Sequence, residues 1–360
     1  MAEPKQKRHW LSRLSFGTVS LVAASLLVLS YLSVVIDPAK AWFFTLFGIL
    51  YPIVLPLTVA LWVWALIRKS RMRLLLTLAL LPSLFFAGRY YRALPHKPAG
   101  KEATLKMVSY NVGLFAHGPE GMTRIQLADS VSQYLMGLDA DIICLQEFFL
   151  PSGMPLDFWI SHHFPGYKAE ASLRSKKSGH FGNLTLSRRP VSDRGRINFE
   201  QSANMAFWTD IRLDSSTIRL YNCHFESYNI SIPRLIKKKD GAVEETEQKM
   251  RHSITERPKQ VSAVLENIEN APVRSVVAGD FNDTPLSYTY FRLLRGRKDS
   301  FTRVGKGFGA TYSLLWPLLR IDYQLYPGNL EAVSYHIERV NYSDHYPIIS
   351  TYYETGRDSQ

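Results

Sequence analysis

The sequence predicts an α+β fold in which two packed β-sheets carry helices on their outer faces, preceded by three membrane-spanning helices. Long apolar stretches are confined to residues 1–92. From residue 104 onward, short apolar runs typical of strands recur and end at turn-forming or polar residues. Helical stretches separate only some of these runs, and this pattern favours packed sheets with helices outside them.

The membrane anchor is predicted from three apolar stretches. They run from about Gly17 to Ile36, from Ala41 to Ile67 and from Leu74 to Tyr91. A spanning helix needs about 20 apolar residues. The first two stretches meet this length without a charge, whereas the third is shorter and carries Arg89 near its end. Pro52 and Pro56 predict a tilt or kink in the second helix.

The first stretch also has features of a cleavable signal peptide. It has a basic start, and Ala39-Lys40-Ala41 has the small-x-small form of a cleavage site. Its apolar run is longer than usual in a signal peptide and further spans follow, so we expect a retained helix. Whether the first helix is cleaved or retained, the residues near Asp37 are expected on the extracytoplasmic side of the membrane.

The basic residues beside these stretches predict the topology. The N-terminal segment and the connection 68–73 each hold four Lys or Arg, whereas the connection 37–40 holds only Lys40. Basic segments stay cytoplasmic, so a third crossing places the following domain on the extracytoplasmic side. Arg89, Arg92 and Lys97 leave an alternative open: if the third stretch lies on the surface, the domain is cytoplasmic.

The net charge of +12 is concentrated in the anchor. Residues 1–100 hold 12 Lys and Arg against two acidic residues, and residues 101–360 hold 31 against 29. Because the domain is nearly neutral, the high isoelectric point does not indicate a nucleic-acid partner. Cys144 and Cys223 lie in strand-like runs and are expected to be buried free thiols, too few for a disulfide framework.

A linker at 93–103, rich in Pro and Gly, is predicted to separate an anchor at 1–92 from a domain at 104–355. Strands are predicted at Thr104–Val112, Asp141–Gln146, Asn183–Ser187, Ala206–Leu213, Ile218–His224, Ser275–Ala278, Ile321–Tyr326 and Pro347–Tyr353. Helices are predicted at Thr123–Leu138 and Lys259–Ile268. The charged stretch Pro233–Pro258 favours a solvated helix or loop, or alternatively a flap on the substrate side.

Polar side chains stand at the ends of these predicted strands. They are Asn111, Glu147, His224, Asp280, Asn282, Asp322, Asp344 and His345. Taken singly, each has an ordinary explanation, such as a turn residue or a histidine in the core. Taken together, their carboxylate and amide oxygens suit Mg²⁺, Mn²⁺ or Ca²⁺, whereas a Zn²⁺ site more often uses several His or Cys.

Five short motifs follow one another in a familiar order. They are Ser-Tyr-Asn-Val at 109–112, Leu-Gln-Glu at 145–147, Gly-Asp-Phe-Asn at 279–282, Arg-Ile-Asp at 320–322 and Ser-Asp-His at 343–345. Over about residues 104–353 the chain resembles the endonuclease/exonuclease/phosphatase superfamily, which includes DNase I-like nucleases, exonuclease III-like enzymes, inositol-polyphosphate 5-phosphatases and neutral sphingomyelinases. The resemblance implies a four-layer αββα sandwich of the DNase I type.

The resemblance also implies roles for the residues at the cation and the attacking water. Glu147 resembles the principal metal ligand, with Asn111 beside it and Asp344 as a second metal-side carboxylate. Asp280 resembles the carboxylate that aligns or deprotonates water, and Asn282 the amide that holds the phosphate.

Further roles concern the scissile phosphate. His345 resembles the catalytic histidine and Asp322 the carboxylate that orients it. His224 matches a histidine of DNase-like and sphingomyelinase-like members, whereas exonuclease III-like members place a tyrosine near there. Asn183 fits a Gly-Asn…Ser pattern on the phosphate side and is expected to bind substrate. Arg257 and Gln260 fit an Arg-x-x-Gln helix that is expected to be structural.

The function implied is hydrolysis of a phosphodiester by in-line attack of water, with Mg²⁺ or else Mn²⁺ or Ca²⁺ as cofactor. Nuclease-like activity is the first expectation. The alternative is a lipid phosphodiesterase or a phosphomonoesterase of the sphingomyelinase or inositol-phosphatase type, because an anchored enzyme lies beside lipid substrates. A non-catalytic membrane scaffold is a further alternative, against which the complete motifs argue. The general base, Asp280 or His345, remains open.

Overall fold

A computed structural model describes residues 5–94, 100–199, 202–228 and 242–355 of the chain. The N-terminal part is helical, with α1 at Lys5–Leu32, α2 at Phe43–Ile67, α3 at Met72–Leu80 and α4 at Ser83–Phe86. A 3-10 turn at Ala87–Arg89 and a short strand β1 at Tyr91–Arg92 follow. Within the described residues, three segments have the length and composition of membrane spans: Ser15–Leu32, Phe43–Ile67 and Met72–Arg89.

These three segments pack against one another through polar as well as apolar contacts. Ser30 Oγ donates a hydrogen bond to the carbonyl of Phe47 at 2.8 Å, which joins α1 to α2. Tyr31 Oη donates to the carbonyl of Ala79 at 2.9 Å, which joins α1 to α3. Such bonds are typical of helix pairs in lipid, where an unpaired hydroxyl has no water to bind. The three segments therefore form one packed bundle.

The rest of the described chain contains two six-stranded sheets. The first has the order β13-β14-β2-β3-β5-β4, with strands at Leu330–Ile337, Ile348–Glu354, Leu105–Asn111, Ile142–Pro151, Gly179–Ser187 and Lys168–Lys176. The second has the order β10-β12-β9-β8-β7-β6, with strands at Lys298–Asp299, Asp322–Tyr326, Arg274–Asp280, Thr217–His224, Met205–Arg212 and Val191–Asn198. A short strand β11 at Gly307–Phe308 pairs with β1 instead.

Helices cover the outer face of each sheet. On the first sheet lie α5 at Arg124–Gly137 and α6 at Leu156–His163, and on the second lie α7 at Ala242–Glu269 and α8 at Tyr288–Leu294. The short helix α9, Ser300–Val304, closes one end of the interface between the sheets. Short 3-10 turns occur at Gly113–Phe115 and Ser313–Leu315.

Apolar side chains fill all three interfaces between these layers. Met107, Ile142 and Leu220 are fully buried between the two sheets. Leu135 of α5 packs on the first sheet and Val261 of α7 on the second. Burial of such side chains contributes roughly 1.5–3 kcal/mol each. The predicted four-layer αββα sandwich is therefore confirmed.

The pairing of the strands brings their polar ends to one edge. β2 and β3 run parallel, and so do β8 and β9, so the carboxyl ends of each pair meet. His224 is in register with Asp280 on β8 and β9, and Asp280 is in register with Asp322 on β9 and β12. This edge carries the side chains that the motifs predicted.

The other predictions about strands, helices and cysteines agree with the structure where the residues are described. The predicted strands and both predicted helices are present, and Cys144 and Cys223 are buried free thiols. Residues 242–258 of the charged stretch belong to α7, as the helical interpretation expected, and residues 233–241 lie outside the described residues. Residues 95–99 of the predicted linker also lie outside them.

The N-terminal helical part docks directly on the sheet domain. β1 pairs with β11, with Tyr91 opposite Phe308, and the amide of Gly309 donates to the carbonyl of Tyr90 at 2.8 Å. Ser33 Oγ, at the end of α1, donates to the carbonyl of Leu286 at 2.7 Å. Leu286 itself is fully buried among residues of the N-terminal helices. The N-terminal helices are therefore packed against the sheet domain and not only joined to it through the chain.

Candidate active site

The turn after β9 positions Asp280 and Asn282. Gly279, which precedes it, has φ +127°, and a Cβ there would lie 2.0 Å from the carbonyl oxygen of Cys223, so only glycine fits this close approach. The amide of Asn282 donates to Asp280 Oδ1 at 2.8 Å, and Asn282 itself has φ +50°. The turn thus holds a carboxylate and an amide side by side, as an Asx-turn does.

His345 and Asp322 form a buried pair in the same cleft. His345 Nδ1 lies 3.0 Å from Asp322 Oδ2. Burial would lower the pKa of His345, but the negative charges of Asp322 and Asp280 and the hydrogen bond to Asp322 outweigh it and raise the pKa to about 10. The two carboxylates therefore favour the protonated form of the imidazole.

Asp280 lies opposite this cation. His345 Nε2 is 3.7 Å from Asp280 Oδ2. Burial raises the pKa of Asp280 to about 6, although His345 and His224 oppose the rise. A carboxylate with a pKa near neutrality suits a general base, because it is ionised yet accepts a proton readily.

Ser343 fixes the loop that carries His345. Its hydroxyl donates to the carbonyl of Asn111 at 2.8 Å and accepts from the amide of His345 at 3.2 Å. The end of β2 is therefore tied to the Ser-Asp-His loop, although the two are more than 200 residues apart in sequence. This explains why a serine precedes the Asp-His pair.

Glu147, Asn111 and His224 lie on the other side of Asp280. Asn111 Nδ2 donates to Glu147 Oε1 at 3.3 Å and to Asp280 Oδ2 at 3.0 Å. His224 Nε2 lies 3.5 Å from Glu147 Oε1 and 3.8 Å from Asp280 Oδ2. Its Nε2 is buried without a hydrogen-bond partner among the described residues. His224 is not among the residues that line the cleft, but it lies directly behind Glu147 and Asp280, which do.

The donor set fits a hard divalent cation. Glu147 and Asp344 line the same cleft as Asp280, so three carboxylates converge there. Oxygen ligands of this kind are those that Mg²⁺, Mn²⁺ and Ca²⁺ prefer. Asp280, Asp322 and His345 also offer ligand atoms within 4.8 Å of one another, but Asp322 already bonds His345. Asn111 presents its amide nitrogen to the carboxylates, so ligation through its oxygen requires the amide to turn over.

Asn183 is placed elsewhere. Its side chain is buried in β5, and Nδ2 donates to the backbone carbonyl of Asn222 at 3.0 Å, between the two sheets. It is not among the residues that line the cleft. Its substrate-binding role remains a prediction that no contact in the cleft supports.

Several lining residues were not predicted from the sequence. Tyr312 packs edge-on against His345, with ring centroids 5.3 Å apart, and burial together with the charge of Asp344 raises its pKa to about 12. His117 and Thr284 also line the cleft. Asp283 lines the cleft as well and directly follows the Gly-Asp-Phe-Asn motif, which does not include it. Tyr312 and His117 stand in loops without a motif, so no sequence signal marked them.

Arg257 and Gln260 of α7 support the catalytic turn from behind. Arg257 donates to the carbonyl of Asn282, and its Nη1 lies 3.2 Å from Asp283 Oδ2. Gln260 Oε1 accepts from the amide of Glu226 at 2.8 Å. Neither lines the cleft, which agrees with the structural role expected for the Arg-x-x-Gln helix.

The cleft has a volume of about 420 Å³. Its polar lining includes Glu147, Asp280, Asn282, Asp344 and His345. Its apolar lining includes Ile49, from the N-terminal helix α2. This arrangement can hold a phosphate between a cation site and the imidazolium of His345, with Asp280 beside it to receive a proton.

Comparison with solved structures shows the same fold. An endonuclease/exonuclease/phosphatase from Beutenbergia cavernae is 15% identical, with 71% of this chain and 72% of that chain covered and a TM-score of 0.50. One from Bacteroides vulgatus is 18% identical, with 69% and 98% covered and a TM-score of 0.51. The human Nocturnin catalytic domain with bound sulfate is 14% identical, with 73% and 97% covered and a TM-score of 0.50.

Family models match both parts of the chain. Residues 12–90 match a domain of unknown function, DUF8431, and no curated protein matches the sequence. Residues 108–345, more than half of the chain, match the Endonuclease/Exonuclease/phosphatase family, whose members are in general metal-dependent phosphoesterases. The chain therefore belongs to the Endonuclease/Exonuclease/phosphatase family.

Proposed function

We propose that this protein is a divalent-metal-dependent hydrolase that cleaves a phosphodiester by in-line attack of water. The observation that carries the proposal is the position of His345, which is bonded to Asp322 through Nδ1 and faces Asp280 in a cleft that also holds Glu147 and Asp344. A scaffold that only binds has no need for a buried imidazolium opposite a carboxylate.

Each residue has a chemical task in this proposal. Asp280 orients the attacking water and accepts its proton, because its carboxylate is held by Asn111 and by the amide of Asn282. The imidazolium of His345 stabilises negative charge on the phosphate and donates a proton to the leaving oxygen. Asp322 keeps the imidazole in the required tautomer and orientation.

The remaining residues bind the phosphate and the cation. His224 donates a hydrogen bond to a phosphate oxygen, since its Nε2 is buried without a partner among the described residues. Asn282 Nδ2 donates to the carbonyl of Phe225 at 2.9 Å and to Asp280 Oδ2 at 3.2 Å, so its proposed bond to the phosphate requires one of these contacts to be exchanged. Glu147 and Asp344 would hold the cation, with Asn111 beside them. A bound Mg²⁺, Mn²⁺ or Ca²⁺ would neutralise negative charge on the phosphate and on the leaving group. We propose Mg²⁺, or else Mn²⁺ or Ca²⁺, as the cofactor, because the carboxylates of Glu147 and Asp344 supply oxygen ligands.

We further propose that residues 1–92 form a multi-pass membrane anchor, residues 93–103 a linker and residues 104–355 the catalytic domain. The three apolar helical segments support the anchor. The domain is proposed to lie on the extracytoplasmic side.

Hydrolysis of bis-p-nitrophenyl phosphate by the full-length protein in detergent tests the proposed reaction. Activity is expected with Mg²⁺, Mn²⁺ or Ca²⁺ and is expected to be lost in EDTA. Glu147→Gln and His345→Gln should each lower kcat by about 10²–10⁴-fold, because each removes a group required in the transition state.

Exposed residues of the same types provide the controls. Glu102→Gln and His336→Gln alter exposed side chains and should leave kcat unchanged. Turnover that resists EDTA, or a fully active His345→Gln enzyme, would contradict the proposed mechanism. No turnover with any of the three metals would favour the non-catalytic scaffold.

A further inference from the structure

The anchor forms part of the wall of the catalytic cleft. Ile49, in the first third of α2, lines the cleft together with Asp280 and His345. The preceding residue, Gly48, packs closely on the domain, because a Cβ there would lie 2.3 Å from the carbonyl oxygen of Leu286. Leu286 is four residues after Asn282 of the catalytic turn. A membrane helix and the catalytic turn are therefore in direct contact.

Apolar side chains of the domain line the cleft together with Ile49. They are Leu315, Leu319 and Ile321, from the segment before β12, and Met250 of α7. The polar groups Asp280, Asn282 and His345 line the same cleft. A ligand that fills the cleft is therefore expected to be amphiphilic, with an anionic part and a hydrocarbon part.

An exposed apolar rim extends outward beside the cleft. Leu314 is 65% exposed, and Trp316, Phe308 and Tyr91 are also exposed. Their rings contact one another, with centroids 5.7 Å apart for Phe308 and Trp316 and 4.9 Å for Tyr91 and Phe308. Tyr91 belongs to β1, which follows the third apolar segment directly. Exposed Trp and Tyr side chains next to an apolar segment are typical of the membrane–water interface.

The described lining of the cleft differs from that of a groove for a nucleic-acid strand. Within the part of the chain that the structure describes, no Lys or Arg lines the cleft. Proteins that hold single strands combine a basic groove along the backbone with stacked aromatic side chains. Here Tyr228 and Tyr312 line the cleft together with isoleucine and leucine side chains, so its described lining favours hydrocarbon over a charged backbone.

We propose that the substrate is a membrane phospholipid whose phosphodiester reaches Asp280 and His345 while its hydrocarbon lies against Ile49, Leu315 and Leu319. This inference rests on the proposed phosphodiesterase function and favours the lipid alternative over the nuclease-like one. The oxygen of water forms a bond to phosphorus as the opposite P–O ester bond breaks. The proton from water passes to Asp280 and His345 protonates the leaving oxygen, so the products are an alcohol and a phosphomonoester.

The test compares two substrates on the full-length enzyme. One is a mixture of phosphatidylcholine, phosphatidylethanolamine, phosphatidylglycerol and sphingomyelin in dodecyl maltoside micelles, and the other is bis-p-nitrophenyl phosphate in the same detergent. Ile49→Ser is expected to lower kcat/KM on the lipids about tenfold more than on the soluble diester, because it removes hydrocarbon contact. Leu319→Ser should act in the same direction through a different element.

Leu50→Ser is the matched control, because Leu50 is the next residue of α2, is 42% exposed and does not line the cleft. It should leave both activities unchanged. An enzyme that hydrolyses the soluble diester but releases no product from the lipids would overturn the inference, as would cleavage of a single-stranded DNA or RNA oligonucleotide with no preference for lipid. If the unaltered enzyme hydrolyses neither the soluble diester nor the lipids, the proposed function itself is refuted.

Discussion

Glu147 and Asn282 place their side chains in the cleft from left-handed backbone conformations, with φ values of +49° and +50°. Residues other than glycine adopt this region at a cost of about 1–3 kcal/mol, and the surrounding structure must compensate for it. At Glu147 the pairing of β3 with β5 shifts register between Leu145 and Phe148. At Asn282 the compensation comes from Asp280 and Arg257, which bond its amide and carbonyl. The proposed metal ligand Glu147 and the proposed phosphate-binding residue Asn282 are thus held in position by the backbone.

Asp322→Asn tests the positioning role of the carboxylate behind His345. The amide retains an oxygen for Nδ1 but loses the negative charge that favours the imidazolium. We expect kcat on bis-p-nitrophenyl phosphate to fall by about 10²–10³-fold with KM changed little, because the loss is confined to the transition state.

Asp157→Asn, at an exposed position in α6, is the control for this change and should leave both constants unchanged. A variant at position 322 that melts at a lower temperature but keeps the original kcat would show that Asp322 is only structural.

The motifs predicted which side chains meet, but not every residue that surrounds them. Asp280, Asn282 and His345 were visible in the sequence because each ends a strand or follows one in a short motif. Tyr312 and Ile49 were not, since their place in the cleft depends on long-range packing between segments without a motif. The positive φ at Glu147 could not be predicted either, because the amino-acid sequence of a strand does not determine where a β-bulge forms.

At the scale of the element, the sequence predicted the central strands and missed the edge strands. β4, β6 and β13 stand at the ends of their sheets and were not predicted. The strand β6, Val191–Asn198, is largely exposed and reads Val-Ser-Asp-Arg-Gly-Arg-Ile-Asn. Edge strands commonly carry charged side chains that discourage pairing with another chain, and this weakens the hydrophobic signal on which prediction depends.

Gly48 is the closest point of contact between the anchor and the domain. A Cβ added at Gly48 would lie 2.3 Å from the carbonyl oxygen of Leu286 and 2.5 Å from Ser33 Oγ. Gly48→Ala must therefore displace α2 from α1 and from the catalytic loop, at a cost of about 1–3 kcal/mol. We expect faster hydrogen exchange in residues 283–291 and a lower Tm in detergent.

Gly17→Ala supplies the comparison for this overpacking. An added Cβ at Gly17 meets nothing within 4 Å among the described residues. It should change neither the exchange rates nor the Tm. Unaltered exchange in Gly48→Ala would mean that the anchor and the loop are not in contact in solution.

For the whole molecule, the docking geometry and the basic residues point to the same topology. The domain contacts Ser33, directly after α1, and Gly48 of α2, and these two residues lie on either side of the connection between the helices. The basic connection 68–73 lies at the other end of α2, whose 25 residues span about 37 Å at about 1.5 Å per residue. Because basic connections remain cytoplasmic, the domain is expected on the opposite, extracytoplasmic side.

Labelling with a membrane-impermeant maleimide tests this arrangement in spheroplasts of a bacterial expression host. Cys144 and Cys223 are both fully buried, so the unaltered chain should label little. Ser178→Cys, at an exposed position between β4 and β5, is expected to react in intact spheroplasts. Ser70→Cys, in the basic connection, should react only after the membrane is permeabilised. The reverse pattern would place the catalytic cleft in the cytoplasm, and the apolar rim of Leu314 and Trp316 would then face the inner leaflet.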